Sequence, residues 1–218
     1  MEIGMIDVAL LNDVVPLLAK ASINTLIIAF FSTLIGLFGG TAIALAEQSH
    51  ISLVRLVAAL YVTVVRGTPM IVQIVFLYYG LNLPFSPIVV AIIAIGLNSS
   101  AYVSQTIKTG INSVAKGEIE AAIVMGIRRR DIMRYIILPQ AFRAIFPSLG
   151  NEFVTLIKDS SLAYIIGVHE LFKESRNVMN VTYDVITVYV AVTLFYLVLT
   201  YSMTLLLQKY EKSWERTC

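Results

Sequence analysis

The sequence predicts an all-α integral membrane protein with five transmembrane helices and one helical cytoplasmic loop. Three observations predict it: an excess of apolar residues, the length of the uncharged runs, and the uneven placement of Lys and Arg. Of the 218 residues, 58% are hydrophobic and 14% charged, with a mean hydropathy of +0.82. A soluble domain is roughly half apolar and a quarter charged, and hiding this excess in water would leave large apolar patches. Lipid is the solvent such a chain needs. The length suits a single membrane domain over residues 1–218, without room for a second globular unit.

A helix needs about 20 apolar residues to cross a hydrocarbon core of roughly 30 Å. The first such run, Ser22 to Ala46, is uncharged. The second, Leu53 to Leu83, is interrupted by Arg66-Gly67-Thr68-Pro69. A third extends from Pro87 to Ile107, and a fourth from Ile136 to Val168 contains Glu152, Lys158 and Asp159. The fifth, Val185 to Leu207, is again uncharged. The N-terminus does not read as a signal peptide, because Glu2, Asp7 and Asp13 replace a basic leader and the first apolar run is too long.

Five spans put the termini on opposite sides, and Lys and Arg favour the cytoplasm. With the C-terminus inside, that side collects Arg55, Lys108, Lys116, Arg128, Arg129, Arg130, Arg134, Lys209, Lys212 and Arg216. The outside keeps Lys20, Lys173 and Arg176 among six acidic residues. Ten against three sets the N-terminus outside. Tyr210 and Trp214 then suit the inner interface, where aromatic rings gather.

The longest polar stretch, 108–135, lies inside and has structure of its own. Gly117 and Gly126 bracket two turns of helix, with Ile119, Ala122, Ile123 and Met125 expected on one apolar face. Gly126 suits the position just past a helix end, where φ is positive. Arg128-Arg129-Arg130 follows, and a second helix is expected to run to a break at Pro139. A short surface helix is expected outside, between Val168 and Asp184.

Several chemistries are excluded. No Gly-x-x-x-x-Gly-Lys-Ser/Thr run is present to cradle a nucleotide phosphate. His50 and His169 stand alone and Cys218 is the one cysteine, so no metal site, internal disulfide or catalytic triad is suggested. The small net charge of +2 gives no nucleic-acid signature.

Glu120-Ala121-Ala122, Gly126 and Ile136-Ile137-Leu138-Pro139 fit the pattern E-A-A-x3-G-x9-I-x-L-P at every stated position. The chain thus resembles the membrane subunits of ABC importers, whose coupling loop carries that pattern. Further segments resemble the polar amino acid permease group: Asn24-Thr25-Leu26, Arg66-Gly67-Thr68-Pro69 with Gln73, Asn98-Ser99-Ser100-Ala101-Tyr102, Gly150-Asn151-Glu152-Phe153 and Lys158-Asp159-Ser160-Ser161-Leu162. The resemblance spans roughly Thr25 to Leu207 and implies a type I importer in a bacterial inner membrane. It also implies a second permease subunit, identical or related, two ATPase subunits holding ATP and Mg, and an external binding protein. Glu120, Ala121, Ala122, Gly126 and Pro139 would form the lever on the ATPase. No cofactor is expected on this chain, and no catalysis. An ion-coupled carrier or a membrane scaffold are the competing readings.

Charges within spans are costly and face cavities or partners. Arg66, Gly67 and Thr68 precede the helix breaker Pro69, and a guanidinium beside freed backbone amides suits a carboxylate. An ion pair locking two spans is the other reading of Arg66. Glu152 and Asp159 lie seven apart on one helical face, about 10 Å along the axis. They suit an ammonium, or form a gate network with Lys158 and Asn151. Gln73 and Asn98 complete the candidate substrate residues, while Ser99 and Ser100 read as helix glue. Gln105 stands where the relatives commonly have glutamate, which leaves a neutral substrate as open as a cationic one. Gly36 and Gly40 form a GxxxG pair able to seat a neighbouring helix.

Overall fold

The computed structural model describes residues 6–215, with side chains described to residue 211. Glu2, Arg216 and Cys218, and the side chains of Lys212 and Trp214, lie outside that range. Among the described residues every regular element is helical.

Helix α1 (Val8–Glu47) is the longest element. Its 40 residues rise about 60 Å, twice the hydrocarbon thickness. Asp13 and Lys20 end the apolar run in the sequence, yet the helix passes through both because they sit on its exposed side. Val14, Leu18 and Ala21, spaced four and three apart, pack inward against Leu171, Ala191 and Val192. Asp7 caps the start, its carboxylate accepting from the N–H groups of Ala9 and Leu10.

The second expected span is two helices, α2 (Ser52–Gly67) and α3 (Met70–Val75). Helix α3 widens into a π-type turn over Phe76–Gly80, and the pair is bent by 108° at Thr68–Pro69. Then come α4 (Pro87–Asn112), α5 (Lys116–Val124), α6 (Arg129–Ile132) and α7 (Leu138–Asp159). A 3₁₀ stretch over Ser160–Ile166 leads to α8 (Leu171–Thr182) and α9 (Val185–Glu215). By length and apolarity α1, α4 and α9 each suffice to cross a membrane, with the bent α2–α3 pair as a fourth candidate. Helix α7, diluted by Gln140, Arg143, Asn151 and Glu152, is not among them, although the sequence made it a span.

Helices α1 and α4 approach closely because glycines line their contact. A Cβ on Gly36 would lie 2.6 Å from Ser99 Oγ, and one on Gly96 would lie 2.6 Å from Ile35 Cβ. The expected seat at Gly36 and Gly40 is therefore real, and α4 occupies it. Ser32 Oγ adds a bond to the Ile92 carbonyl at 3.1 Å across the same interface. Around this pair Ile28, Ile74, Ile95, Leu156 and Ile157 are fully buried.

The loop between α4 and α7 confirms one expectation and corrects two. Gly126 has φ +77°. Gly126 N donates to the Ile123 carbonyl and Ile127 N to that of Ala122, the paired bonds that close a helix with a left-handed glycine. The apolar residues of α5, however, divide between two faces. Ile119 and Ala122 pack on Val114, Ile132 and Ile137, whereas Ile123, Val124 and Met125 are 52%, 87% and 71% exposed. Nor does Pro139 break the chain. A π-type turn over Met133–Ile137, with Leu138 N bonded to the Met133 carbonyl, carries α6 into α7 and absorbs the proline at the second position of the new helix.

Candidate functional site

The break between α2 and α3 follows from Pro69. Lacking an N–H, it cannot bond the Val65 carbonyl four residues back, and it drives Thr68 to an extended φ of −118° and ψ of 144°. Gln73 fills the vacancy. Its Nε2 donates to the Val65 carbonyl at 2.8 Å and to Thr68 Oγ1 at 2.8 Å. Its Oε1 accepts from Asn98 Nδ2 at 3.0 Å, which ties the break to α4.

Beside the break is a cavity of about 550 Å³, lined by Arg66, Gly67, Thr68, Asn98, Glu152 and Asp159 among others. The structure thus brings six of the eight expected substrate residues around one space. Gln73 is turned to backbone behind the wall, and Lys158 is exposed outside the lining. Sequence reasoning did not assign Tyr102, Met70 and Thr155 to the site, and all three line the same space. Tyr102 had a signal: it lies four residues after Asn98, one helical turn along the same face.

Arg66 places its guanidinium 5.2 Å from the centre of the Tyr102 ring. Among the described residues it forms no ion pair, which removes the support for a salt bridge locking two spans. Glu152 accepts from Ser99 Oγ at 2.7 Å, and its other oxygen has no protein donor among the described residues. Asp159 has no hydrogen-bond partner among them. Two carboxylates and one guanidinium therefore face a common space with their polar atoms available.

A second cavity of about 410 Å³ shares Arg66, Tyr102 and Glu152 with the first and extends past Gln105, Thr109 and Ser148 toward Ser113. Gln105 Nε2 donates to Glu47 Oε2 at 2.9 Å, and Lys108 Nζ lies 3.6 Å from Glu47 Oε1. At the opposite end of the bundle Asn24 Nδ2 donates to the His169 carbonyl and Leu171 N to Thr25 Oγ1, while His169 pairs with Glu174. Glu170 is fully buried there. Burial pushes its carboxyl up to about 7, offset only in part by bonds from Phe172 N, Lys173 N and Tyr196 OH. The two sets of charges separated by the sequence reading thus lie at two ends of the bundle, with the cavities between.

Residues 34–216 match the family described as the binding-protein-dependent transport system inner membrane component. The chain is 32% identical over 203 residues to the glutamine transport system permease protein GlnP of Escherichia coli (strain K12), covering 91% of this chain and 93% of that one. It is 33% identical over 194 residues to the arginine transport system permease protein ArtQ of Bacillus subtilis (strain 168), covering 87% and 89%. Among solved structures, a crystal structure of an amino acid ABC transporter with histidines superposes with a TM-score of 0.90 at 33% identity, over 96% of this chain and 100% of that one. The fold is also shared, at 20% identity and a TM-score of 0.74, with an inward-facing MetNI methionine ABC transporter over 90% of this chain and 95% of that one.

Proposed function

The chain belongs to the family of binding-protein-dependent transport system inner membrane components, and on that premise we propose that it is the membrane-spanning subunit of an ATP-driven importer for polar amino acids. The relatives named for glutamine, arginine and histidine support amino acids as the substrate class. The observation that carries the reading to particular residues is the unpaired Arg66 at a broken helix, facing Glu152 and Asp159 across one cavity. A guanidinium beside a helix break suits an α-carboxylate, and a carboxylate opposite suits an α-ammonium. Both ends of a zwitterion are provided for.

Membership of an ABC importer implies ATPase partners, and α5 is where this chain would meet them. Glu120 and Ala121 are exposed beside the outward Ile123, Val124 and Met125. The Gly126 closure stiffens the helix end, and a stiff helix transmits rigid-body motion where a slack loop does not. Pro139 then belongs to the continuous helix that carries this motion into α7, which bears Glu152. ATP and Mg are held by the ATPase, this chain being a non-catalytic transport component. We place α5 and the C-terminus in the cytoplasm, with a second permease subunit beside this one and an external binding protein at the His169 end.

The test is uptake into vesicles holding this chain, its ATPase and its binding protein. Arg66→Ala should assemble normally and lose uptake by about 10- to 100-fold, the worth of a charged hydrogen-bonded contact. Uptake at the wild-type rate would remove Arg66 from the path.

A further inference from the structure

We propose that the imported amino acid carries an uncharged hydrogen-bonding side chain, an amide or a hydroxyl, received by Gln105, Thr109 and Ser148 in the second cavity. The inference rests on the reading of Arg66 and Glu152 as the clamp for carboxylate and ammonium. Both residues line both cavities, so a clamped amino acid can send its side chain into either.

The unpartnered groups decide the direction. In the first cavity Thr68 and Asn98 are committed to Gln73, and Thr155 Oγ1 donates to the Asn151 carbonyl. In the second, the Thr109 and Ser148 hydroxyls make no hydrogen bond among the described residues. Gln105 commits its amide nitrogen to Glu47, leaving its oxygen as a free acceptor. Donors and acceptors left open in a cavity are what a polar, uncharged side chain satisfies, and an apolar one would leave them unpaired.

Charge points the same way. The second cavity has no ionisable lining group beyond the shared Arg66, Tyr102 and Glu152. Glu47 is closed off from it, 9% exposed, paired with Lys108 and bonded by Gln105. Across the whole site Arg66 and Lys158 stand against Glu152 and Asp159, and the Lys158 charge acts on Asp159. Two cations and two anions balance. A zwitterion with a neutral side chain keeps that balance, whereas a charged side chain adds one uncompensated charge in a poorly solvated space.

The experiment is equilibrium binding of labelled glutamine to the permease–ATPase complex in lipid nanodiscs, with unlabelled amino acids as competitors. Asparagine and serine should displace glutamine at concentrations at least about tenfold below those needed for arginine, lysine or glutamate. Thr109→Val and Ser148→Ala, both at accessible positions that the fold tolerates, should each weaken glutamine several-fold and leave norleucine unchanged or improved. Gln105→Glu should shift the ratio of arginine to glutamine binding toward arginine by about tenfold. Preference of the wild type for a charged amino acid, or unchanged glutamine binding in all three variants, would overturn the inference while leaving the clamp intact. Failure of the clamp shows itself differently: Arg66→Ala would then bind every amino acid as the wild type does, or the wild type would bind none.

Discussion

The α1–α4 pair and the α2–α3 pair are both built from apolar membrane helices, yet they are held together by different means. Helices α1 and α4 are interlocked through glycines so close that a single methyl group would collide with the neighbour. Helices α2 and α3 meet at a 108° bend with largely exposed surfaces, fastened mainly by the side chain of Gln73. Packing density is hard to change in small steps, because dispersion contacts are lost together. A few directional hydrogen bonds can be exchanged for others. The first pair is a frame and the second an adjustable arm, and the candidate site lies where they face each other: Asn98, Ser99 and Tyr102 on the frame, Arg66 to Pro69 on the arm.

That contrast can be broken at the frame first. Gly96→Leu forces a branched side chain into Ile35 and should destabilise the chain by about 3 kcal/mol or more, read as thermal unfolding in detergent. The frame is also pinned at its far end by Glu170, which caps α8 and bonds Tyr196 of α9. Its folded carboxyl keeps its proton up to about 7, against 4.5 for the unfolded group. The folded state therefore binds more protons in between, so the stabilising contribution is full below 4.5 and is lost as pH rises to about 7. Glu170→Gln should flatten that fall, which is on the order of 2–3 kcal/mol.

The arm should respond more mildly in stability and more strongly in transport. Gln73→Ala leaves the Val65 carbonyl and the buried Asn98 amide without a partner, a loss of about 2 kcal/mol. It should reduce uptake more than that loss of fold alone explains. Gly67→Ala is the smallest change: nothing lies within 4 Å of the added Cβ, so stability should stay within about 0.5 kcal/mol. A Gly67→Ala variant as unstable as Gly96→Leu would dissolve the distinction between frame and arm.

Much of this was legible in the sequence because it rests on residues with few options. Pro69 had to break its helix, Gly126 had to turn left-handed, and Glu152 and Asp159 had to share a face at a spacing of seven. What was hidden depended on partners far away in the chain. Gln73 reads as one more polar residue in a span until the unbonded Val65 carbonyl beside Pro69 is seen to need a donor. The continuation of α1 through Asp13 and Lys20 depends on packing against α8 and α9, which no local pattern states. Ile123 and Met125 belong to an apolar run, but only the position of Ile132 and Ile137 decides which side of α5 is covered. Pro139 looked like a terminator because a π-type turn able to absorb it leaves no composition signal.

The account turns on energy arriving from outside this chain through α5 and ending at Arg66. The most direct measurement is labelled glutamine uptake in reconstituted vesicles, with and without the ATPase, for the wild type and Gly126→Val. Uptake should require the ATPase, its ATP and the binding protein together, and Gly126→Val should keep ATP hydrolysis while losing most transport. Uptake by this chain alone under a sodium or proton gradient, or full transport by Gly126→Val, would contradict it.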